Sequence, residues 1–162
     1  MPESEPRGGL LEIPIRREPG AEDLPLPRYQ TPGSSGLDLY AALDEPLTFK
    51  PSEVRMVSTG IRVAIPPGFE GQVRARSGLA ARNGVGVLNG PGTIDSDYRG
   101  VISVILFHFG TEPLIIRRGD RIAQLVIVKH EKASWVETRN LEETSRDSNG
   151  FGSTGIDSPK PS

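Results

Sequence analysis

Glycine and proline divide this chain into short apolar runs, and this punctuation limits what the chain can fold into. The 162 residues include 19 glycines and 15 prolines, a share that is high but below that of a disordered chain. The runs between the turns show almost no 3.6-residue periodicity, and only residues 77–83 suit a helix, of about two turns. Regular short strands joined by turns predict an all-β fold, either a sandwich or a barrel.

The predicted strands lie at 9–16, 35–42, 47–49, 54–58, 61–65, 69–75, 85–88, 101–109, 114–116 and 122–128. The strand at 101–109 is apolar on both faces, so a second sheet or a neighbouring subunit is expected to cover it. Trp135 is expected to close the core or to lie in an interface. After residue 137 the large apolar side chains become sparse. We therefore expect a single β domain over residues 1–137 and a mobile C-terminal arm over residues 138–162.

The composition excludes several classes of function. The chain has no cysteine and two histidines, which removes disulfides and thiolate catalysis and disfavours a histidine-based metal site. It has neither a long apolar segment nor a signal-peptide pattern, so we expect a cytoplasmic protein without membrane contact. The net charge of −2 argues against binding of polymeric nucleic acid.

Arginine outnumbers lysine fifteen to four. Guanidinium groups bind phosphate oxygens in a bidentate manner and stay charged when partly buried, so this bias weakly favours a phosphate-bearing ligand. Genomic base composition or adaptation to heat would produce the same bias.

The stretch Val85–Gly100 carries the densest set of polar groups. Asn-Gly-Pro-Gly at 89–92 is strong turn chemistry, and the apolar runs on both sides predict a β-hairpin. Its turn region presents the carboxamide of Asn89, the carboxylate of Asp95 and the phenol of Tyr98. Taken alone, the stretch is equally consistent with a polar surface turn.

Three other patches carry candidate binding groups. Arg76-Ser77-Gly78 ends a strand and opens the predicted helix, an arrangement that binds anions, although a serine there is more commonly a helix N-cap. Residues 117–125 form a basic turn followed by a strand, and alone they are typical of a solvated turn. Asp38, between two leucines, is suited either to orienting an arginine or to touching a ligand.

The segment 146–155 has the composition of a linker. However, Phe151 lies between glycines and is followed by Ser153 and Thr154. An aromatic ring in such a flexible arm can stack on a base while backbone amides bind phosphates.

Five segments of this chain resemble, in order, the motifs of the trimeric dUTP diphosphatases; they are 35–39, 76–80, 89–100, 119–125 and 150–155 with Arg146. One such motif is weak evidence, whereas five in order are specific. The resemblance implies a jelly-roll-like β subunit, a homotrimer and active sites shared between subunits. It also implies hydrolysis of dUTP to dUMP and pyrophosphate, which lowers dUTP and supplies dUMP for thymidylate synthesis. Mg²⁺ is implied as the cofactor, held by substrate phosphates and water without direct protein ligands.

The resemblance also assigns roles to residues. It makes Asp95 the general base that activates water for attack on the α-phosphorus, with Asp38 in a supporting role. The residues implied for the base and sugar are Asn89, Thr93 and Ile94 at uracil and Tyr98 under the deoxyribose. The residues implied for the phosphates are Arg76, Ser77, Gly78 and Gln124. The residues implied to close over the substrate from the arm are Phe151 on uracil and Arg146, Gly152, Ser153 and Thr154 near the γ-phosphate.

Some residues depart from the family pattern. Asp147 and Asn149 stand where the family more often has glycine, and a carboxylate there repels phosphate. Ser103 stands where the family often has a larger side chain. A dCTP deaminase or a bifunctional deaminase-diphosphatase, which share the fold, and a non-catalytic jelly-roll trimer are the alternatives. The arm and the hairpin motif favour the diphosphatase.

Overall fold

The computed structural model describes residues 10–148, and over this range it contains short strands and one helix. The strands are β1 (Ile15–Arg17), β2 (Leu37–Tyr40), β3 (Leu47–Phe49), β4 (Val54–Ser58), β5 (Ile61–Val63), β6 (Phe69–Arg74), β7 (Val85–Val87), β8 (Gly92–Ile94), β9 (Ser103–His108), β10 (Leu114–Ile116) and β11 (Arg121–Lys129). The helix is α1 (Ser77–Asn83). The prediction of short strands with one short helix is confirmed.

The strands form four antiparallel sheets. The largest has the order β2-β11-β6-β8 and the next has the order β4-β9-β7, while β1 pairs with β5 and β3 pairs with β10. Most neighbours in a sheet are distant in the chain, so the sheets depend on long connections. In the described part of the chain no sheet closes on itself, which favours the sandwich over the barrel.

The core lies between the inner faces of the two larger sheets. One sheet contributes Leu39, Val73, Ala123 and Leu125, and the other contributes Val57, Val85, Val104 and Leu106. Each of these side chains is at most 3% exposed, and burial of each valine or leucine among them stabilises the fold by about 1.5–3 kcal/mol.

Strand β9 is fully covered on one face and partly covered on the other. Its inward side chains are buried, whereas those of Ser103, Ile105 and Phe107 are half-buried on the other face. Within residues 10–148 no second sheet fully covers this outer face, and cover by a neighbouring subunit stays a prediction. The apolar outer face is continuous with β4, where Met56 lies opposite Ile105 and is 73% exposed.

Helix α1 begins and ends as backbone chemistry requires. Arg76 is its N-cap residue, with extended backbone and no side-chain cap, so the alternative that Ser77 is the N-cap is wrong. The helix ends at Asn83, and the C-cap residue Gly84 has a left-handed φ of 64° and donates its N–H to the carbonyls of Leu79 and Ala80. A Cβ at Gly84 would lie 2.6 Å from the Gly110 nitrogen, so glycine is required there.

The chain divides into two compact units, one ending at Glu131 and the other beginning at Lys132. Within the second unit, residues 132–148 form only turns and irregular backbone. Trp135 is 96% exposed, so the expectation that it closes the core is wrong, and its place in an interface stays a prediction. Across residues 10–148, no helix has the length and apolar character needed to cross a membrane.

Candidate functional site

A pocket of about 370 Å³ opens at the predicted hairpin. It is lined by Met56, Val73, Asn89, Gly92, Thr93, Ile94, Asp95, Tyr98, Val101, Ser103 and Ile105. The five hairpin residues proposed from the sequence for base, sugar and water thus share one cavity. Its lining is mixed, with apolar side chains beside a carboxamide, a carboxylate, a phenol and two hydroxyls.

Two strand pairings position this pocket. The flanks of the predicted hairpin pair as β7 with β9, with Val87 opposite Leu106. The connection between them is not a simple turn, because β8 within it pairs with β6 of the other large sheet, with Thr93 opposite Gln72. The segment 88–101 therefore bridges the two sheets, which holds its polar side chains at the sandwich edge.

Small residues make room for the large side chains of the pocket. A Cβ at Gly92 would lie 3.1 Å from the Asn89 carboxamide nitrogen, so glycine lets that carboxamide lie against the backbone. Gly100 lies directly against the Tyr98 ring, whose hydroxyl donates to the carbonyl of Val101 at 3.1 Å. Asp95 is exposed at the pocket mouth, where its carboxylate has access to water.

A second group of predicted residues surrounds Asp38. This carboxylate is 1% exposed, and its Oδ1 lies 3.2 Å from Arg76 Nε, an ion pair without hydrogen-bond geometry. Its Oδ2 accepts a hydrogen bond from Arg121 Nη1 at 3.2 Å. Arg76 Nη1 also donates to the backbone carbonyl of Arg121 at 3.1 Å. Asp38 therefore orients two arginines, the first of the two roles that the sequence allowed.

Gln124 joins this group through the pairing of β11 with β2, where it lies opposite Asp38. A Cβ at Gly36 would lie 3.0 Å from Gln124 Oε1, so Gly36 provides the space for this carboxamide. The first, second and fourth sequence motifs are thus neighbours in the fold.

An ion pair outside both groups lies close to the hairpin. The Glu18 carboxylate accepts two hydrogen bonds from Arg62, from Nε at 2.6 Å and from Nη2 at 2.9 Å. These bonds, against partial desolvation and with help from Arg16, lower the pKa of Glu18 to about 2. The same pairing raises the pKa of Arg62, and the nearby phenol of Tyr98 adds to this shift.

The structure brings the predicted residues together in two sets. Asn89, Thr93, Ile94, Asp95 and Tyr98 line the pocket, whereas Asp38, Arg76 and Gln124 form the ion-pair group beside the start of α1, which holds Ser77 and Gly78. Within residues 10–148, none of this second set lines the pocket. Arg146 is exposed in the second unit, and Phe151, Gly152, Ser153 and Thr154 lie outside the described residues.

Sequence reasoning missed some of the lining and supporting residues. Met56 and Ile105 reach the pocket from strands that the sequence did not connect with the site, and Arg121 lies in the fourth motif without a predicted role. The two-residue alternation that places Ile105 and Ser103 on one face was visible in the sequence. The approach of β4 to the hairpin was not, because it depends on sheet order.

The described residues are compatible with a metal ion that a bound ligand carries to the site, rather than one that a protein cluster holds. Between residues 10 and 148 no three or more histidine or acidic side chains gather in a way that could hold an ion. The pocket instead offers one exposed carboxylate, at Asp95. A hard cation such as Mg²⁺ prefers oxygen ligands and keeps several waters, so oxygens of a phosphate chain suit it here.

Comparison with known proteins identifies the family. The dUTPase family model matches residues 22–155. The chain is also 56% identical over 147 residues to the deoxyuridine 5'-triphosphate nucleotidohydrolase of Methylocella silvestris, covering 90% of this chain and 92% of that protein. The chain belongs to the dUTPase family. The resemblance proposed from the five motifs is thereby confirmed.

Solved dUTPases share the fold. The structure of Staphylococcus bacteriophage 80alpha dUTPase with dUpNHpp matches with a TM-score of 0.76 at 21% identity, over 90% of this chain and 99% of that one. A mutant dUTPase from phage phi11 of S. aureus, described with a structural Mg(II) ion, matches with a TM-score of 0.72 at 21% identity, over 82% of this chain and 100% of that one. These likenesses confirm the predicted jelly-roll-like β-sandwich.

Proposed function

We propose that the protein hydrolyses dUTP to dUMP and pyrophosphate, lowering dUTP and supplying dUMP for thymidylate synthesis. The observation that carries the proposal is the pocket of this dUTPase-family chain, in which Asn89, Asp95 and Tyr98 line one cavity of nucleoside size. The chain has the residues for phosphoryl displacement, which requires positioning and charge neutralisation more than covalent catalysis.

The base and sugar occupy the pocket in this proposal. Asn89 and the hairpin backbone around Thr93 and Ile94 read the edge of uracil, and the ring of Tyr98 packs under the deoxyribose. Cytosine is rejected because its donor and acceptor pattern is reversed, and a mismatched buried polar edge is costly. A ribose is rejected because the Tyr98 ring occupies the space that a 2′-hydroxyl needs.

Asp95 is the general base. Its carboxylate accepts a proton from water as the water oxygen attacks the α-phosphorus, and the bond to the bridging oxygen of pyrophosphate breaks. The exposed position of Asp95 at the pocket mouth supports this role, since a general base must reach both water and the phosphorus. Mg²⁺ held by the phosphate oxygens and water would neutralise charge on the triphosphate.

Arg76, Ser77, Gly78 and Gln124 bind the phosphates. The ion pairs of Asp38 with Arg76 and Arg121 support this assignment, because they fix the guanidinium of Arg76 at the start of α1. The first N–H groups of a helix have no partner within it, so those of Ser77 and Gly78 suit phosphate oxygens. The C-terminal arm, with Arg146, Phe151, Gly152, Ser153 and Thr154, completes the site.

We also propose a homotrimer with active sites shared between subunits, located in the cytoplasm. The apolar outer face of β4 and β9 supports an interface, because Met56 and Ile105 lie both on that face and in the pocket wall. The ion-pair group with Arg76 and Gln124, proposed to bind the phosphates, does not line the pocket of its own chain. This supports a site that a neighbouring subunit completes.

Pyrophosphate release tests the activity. We expect release from dUTP in the presence of Mg²⁺, little release from dCTP, dTTP or UTP, and much less release when the metal is chelated. Release from dUTP at the same rate as from UTP would contradict the proposal, and deamination of dCTP would favour the related deaminase function.

Mixed assemblies test the shared site. Asp95→Asn and Arg76→Ala chains are each expected to be nearly inactive as homotrimers. If sites are shared, co-expressed mixtures contain some sites with Asp95 from one chain and Arg76 from its neighbour, and these regain activity. If each site is built from one chain, no mixture regains activity.

A further inference from the structure

A chain of hydrogen bonds connects the edge strands β1 and β5 to the turn that follows β8. It begins at Glu18, just after β1, whose carboxylate holds Arg62 of β5 through two charge-assisted hydrogen bonds. The remaining nitrogen of the same guanidinium, Nη1, donates to the backbone carbonyl of Arg99 at 3.0 Å. One arginine therefore joins the edge of the fold to the turn 95–99.

The turn itself is closed by its own arginine. Arg99 Nη1 donates to the carbonyls of Ser96 at 2.7 Å and Tyr98 at 2.8 Å, and the Tyr98 nitrogen donates to the Asp95 carbonyl at 3.1 Å. These bonds connect the backbone positions that carry the candidate base and the ring under the sugar. Displacement of Arg99 would therefore change the direction of both side chains.

This turn has little packing to hold it. Asp95, Asp97, Tyr98 and Arg99 are all exposed, so buried apolar contacts contribute little and hydrogen bonds decide its conformation. By contrast, the anchor is firm. Arg62 lies in paired strand opposite Arg16, the Glu18 nitrogen donates to the Gly60 carbonyl at 2.8 Å, and the Glu18 side chain is only 23% exposed.

We propose that the Glu18–Arg62 pair is a positioning device that sets the turn carrying Asp95 and Tyr98 for substrate. The proposal rests on the proposed dUTP hydrolysis for its kinetic consequence, whereas its structural part concerns the turn alone. Neither residue lines the pocket, so the pair acts through the Arg99 carbonyl and is not itself catalytic.

Arg16 provides a matched control. Its Nη2 also contacts Glu18, at 3.1 Å, and it lies opposite Arg62 in the strand pair. Within residues 10–148 the Arg16 side chain donates a hydrogen bond to Glu18 alone, so it shares the ion pair but not the bond to Arg99. Arg16→Ala therefore removes a similar charge and leaves the bond to the turn intact.

The test compares Arg62→Ala, Arg62→Lys and Arg16→Ala in the full-length protein. Two quantities are measured: hydrogen–deuterium exchange of the peptide covering residues 95–101, and kcat and KM for dUTP. For Arg62→Ala we expect about tenfold faster exchange in that peptide and about a tenfold higher KM, as loss of one charge-assisted bond implies. Arg62→Lys keeps the charge but places its donors on a single nitrogen, and it is expected to recover part of the exchange protection and part of the affinity. Arg16→Ala is expected to match the wild type.

The readouts separate positioning from general stability. A merely structural pair would speed exchange throughout the core and lower kcat through a smaller folded fraction, with KM unchanged. That pattern would overturn the proposal. So would equal exchange rates of the 95–101 peptide and equal KM values for Arg62→Ala and Arg16→Ala. If Arg62→Ala does not fold, the comparison of Arg62→Lys with Arg16→Ala decides by the same criteria. If the wild type leaves dUTP intact, the proposed function fails while the exchange result still decides whether the pair orders the turn.

Discussion

Replacing Asp38 by alanine removes the carboxylate that holds Arg76 and Arg121 in the ion-pair group. The loss of one partner from a fully buried ion pair costs about 3–5 kcal/mol. Here the carboxylate is buried, but the side chains of Arg76 and Arg121 are 24% and 46% exposed. Water therefore relieves part of the penalty, and we expect the free energy of unfolding to fall by about 2 kcal/mol.

A double-mutant cycle assigns this loss to its contacts. Urea unfolding at fixed protein concentration is measured for Asp38→Ala, Arg76→Ala, Arg121→Ala and the two double variants. We expect a coupling energy of about 1–2 kcal/mol between Asp38 and Arg76, and a smaller one with the more exposed Arg121. The exposed Asp44, replaced by alanine, is the control and is expected to change stability little.

The same variants report on function. Because Arg76 is proposed to bind phosphate, loss of its buried partner is expected to raise the KM for dUTP more than Asp44→Ala does. A coupling energy between Asp38 and Arg76 below about 0.3 kcal/mol, the usual error of additivity, would refute the reasoning. An unchanged KM with a large coupling would restrict Asp38 to a structural role.

Three further predictions concern the base, the arm and the acid dependence. Asp95→Asn is expected to keep nucleotide binding, measured by calorimetry, and to lower kcat by about 10²–10⁴-fold, since it keeps the shape and removes the base; full activity would place the base elsewhere. Ending the chain after Ser148 is expected to leave a folded trimer in sedimentation while severely reducing kcat/KM, and unfolding would make the removed segment structural. For Glu18, whose pKa is lowered to about 2 from an ordinary 4.5, the wild type is expected to exceed Glu18→Gln in Tm above about pH 5. That difference should shrink as the pH falls from about 4.5 to 2, and a difference independent of pH would contradict the assignment.

Much of the fold could be predicted from local sequence. The strand bounds at 47–49, 54–58 and 114–116 and the helix at 77–83 agree with the structure. Turn residues and two-residue alternation act over a few positions, so they are legible without tertiary information. Coverage was harder to predict: Trp135 is exposed and the outer face of β9 is only partly buried, because apolarity alone does not reveal what lies opposite a side chain.

The candidate site likewise has features that local sequence reveals and features that depend on contacts between distant segments. Its chemical groups, such as Asn89, Asp95 and Tyr98, were evident from residue type and motif order, since the chemistry of a side chain is local. Their supports were not evident. Glu18 and Arg62 are 44 positions apart, and Asp38 and Arg121 are 83 apart, so only the pairing of distant strands could bring them together.

The sequence by itself determined the strand-and-turn pattern, the single short helix, the family and the reactive groups. The tertiary structure decided which of those groups share a cavity, which arginines a buried carboxylate holds, and how the exposed turn at 95–99 is anchored. The physical reason is that strand order and side-chain burial arise from contacts between segments far apart in the chain, which no local pattern encodes.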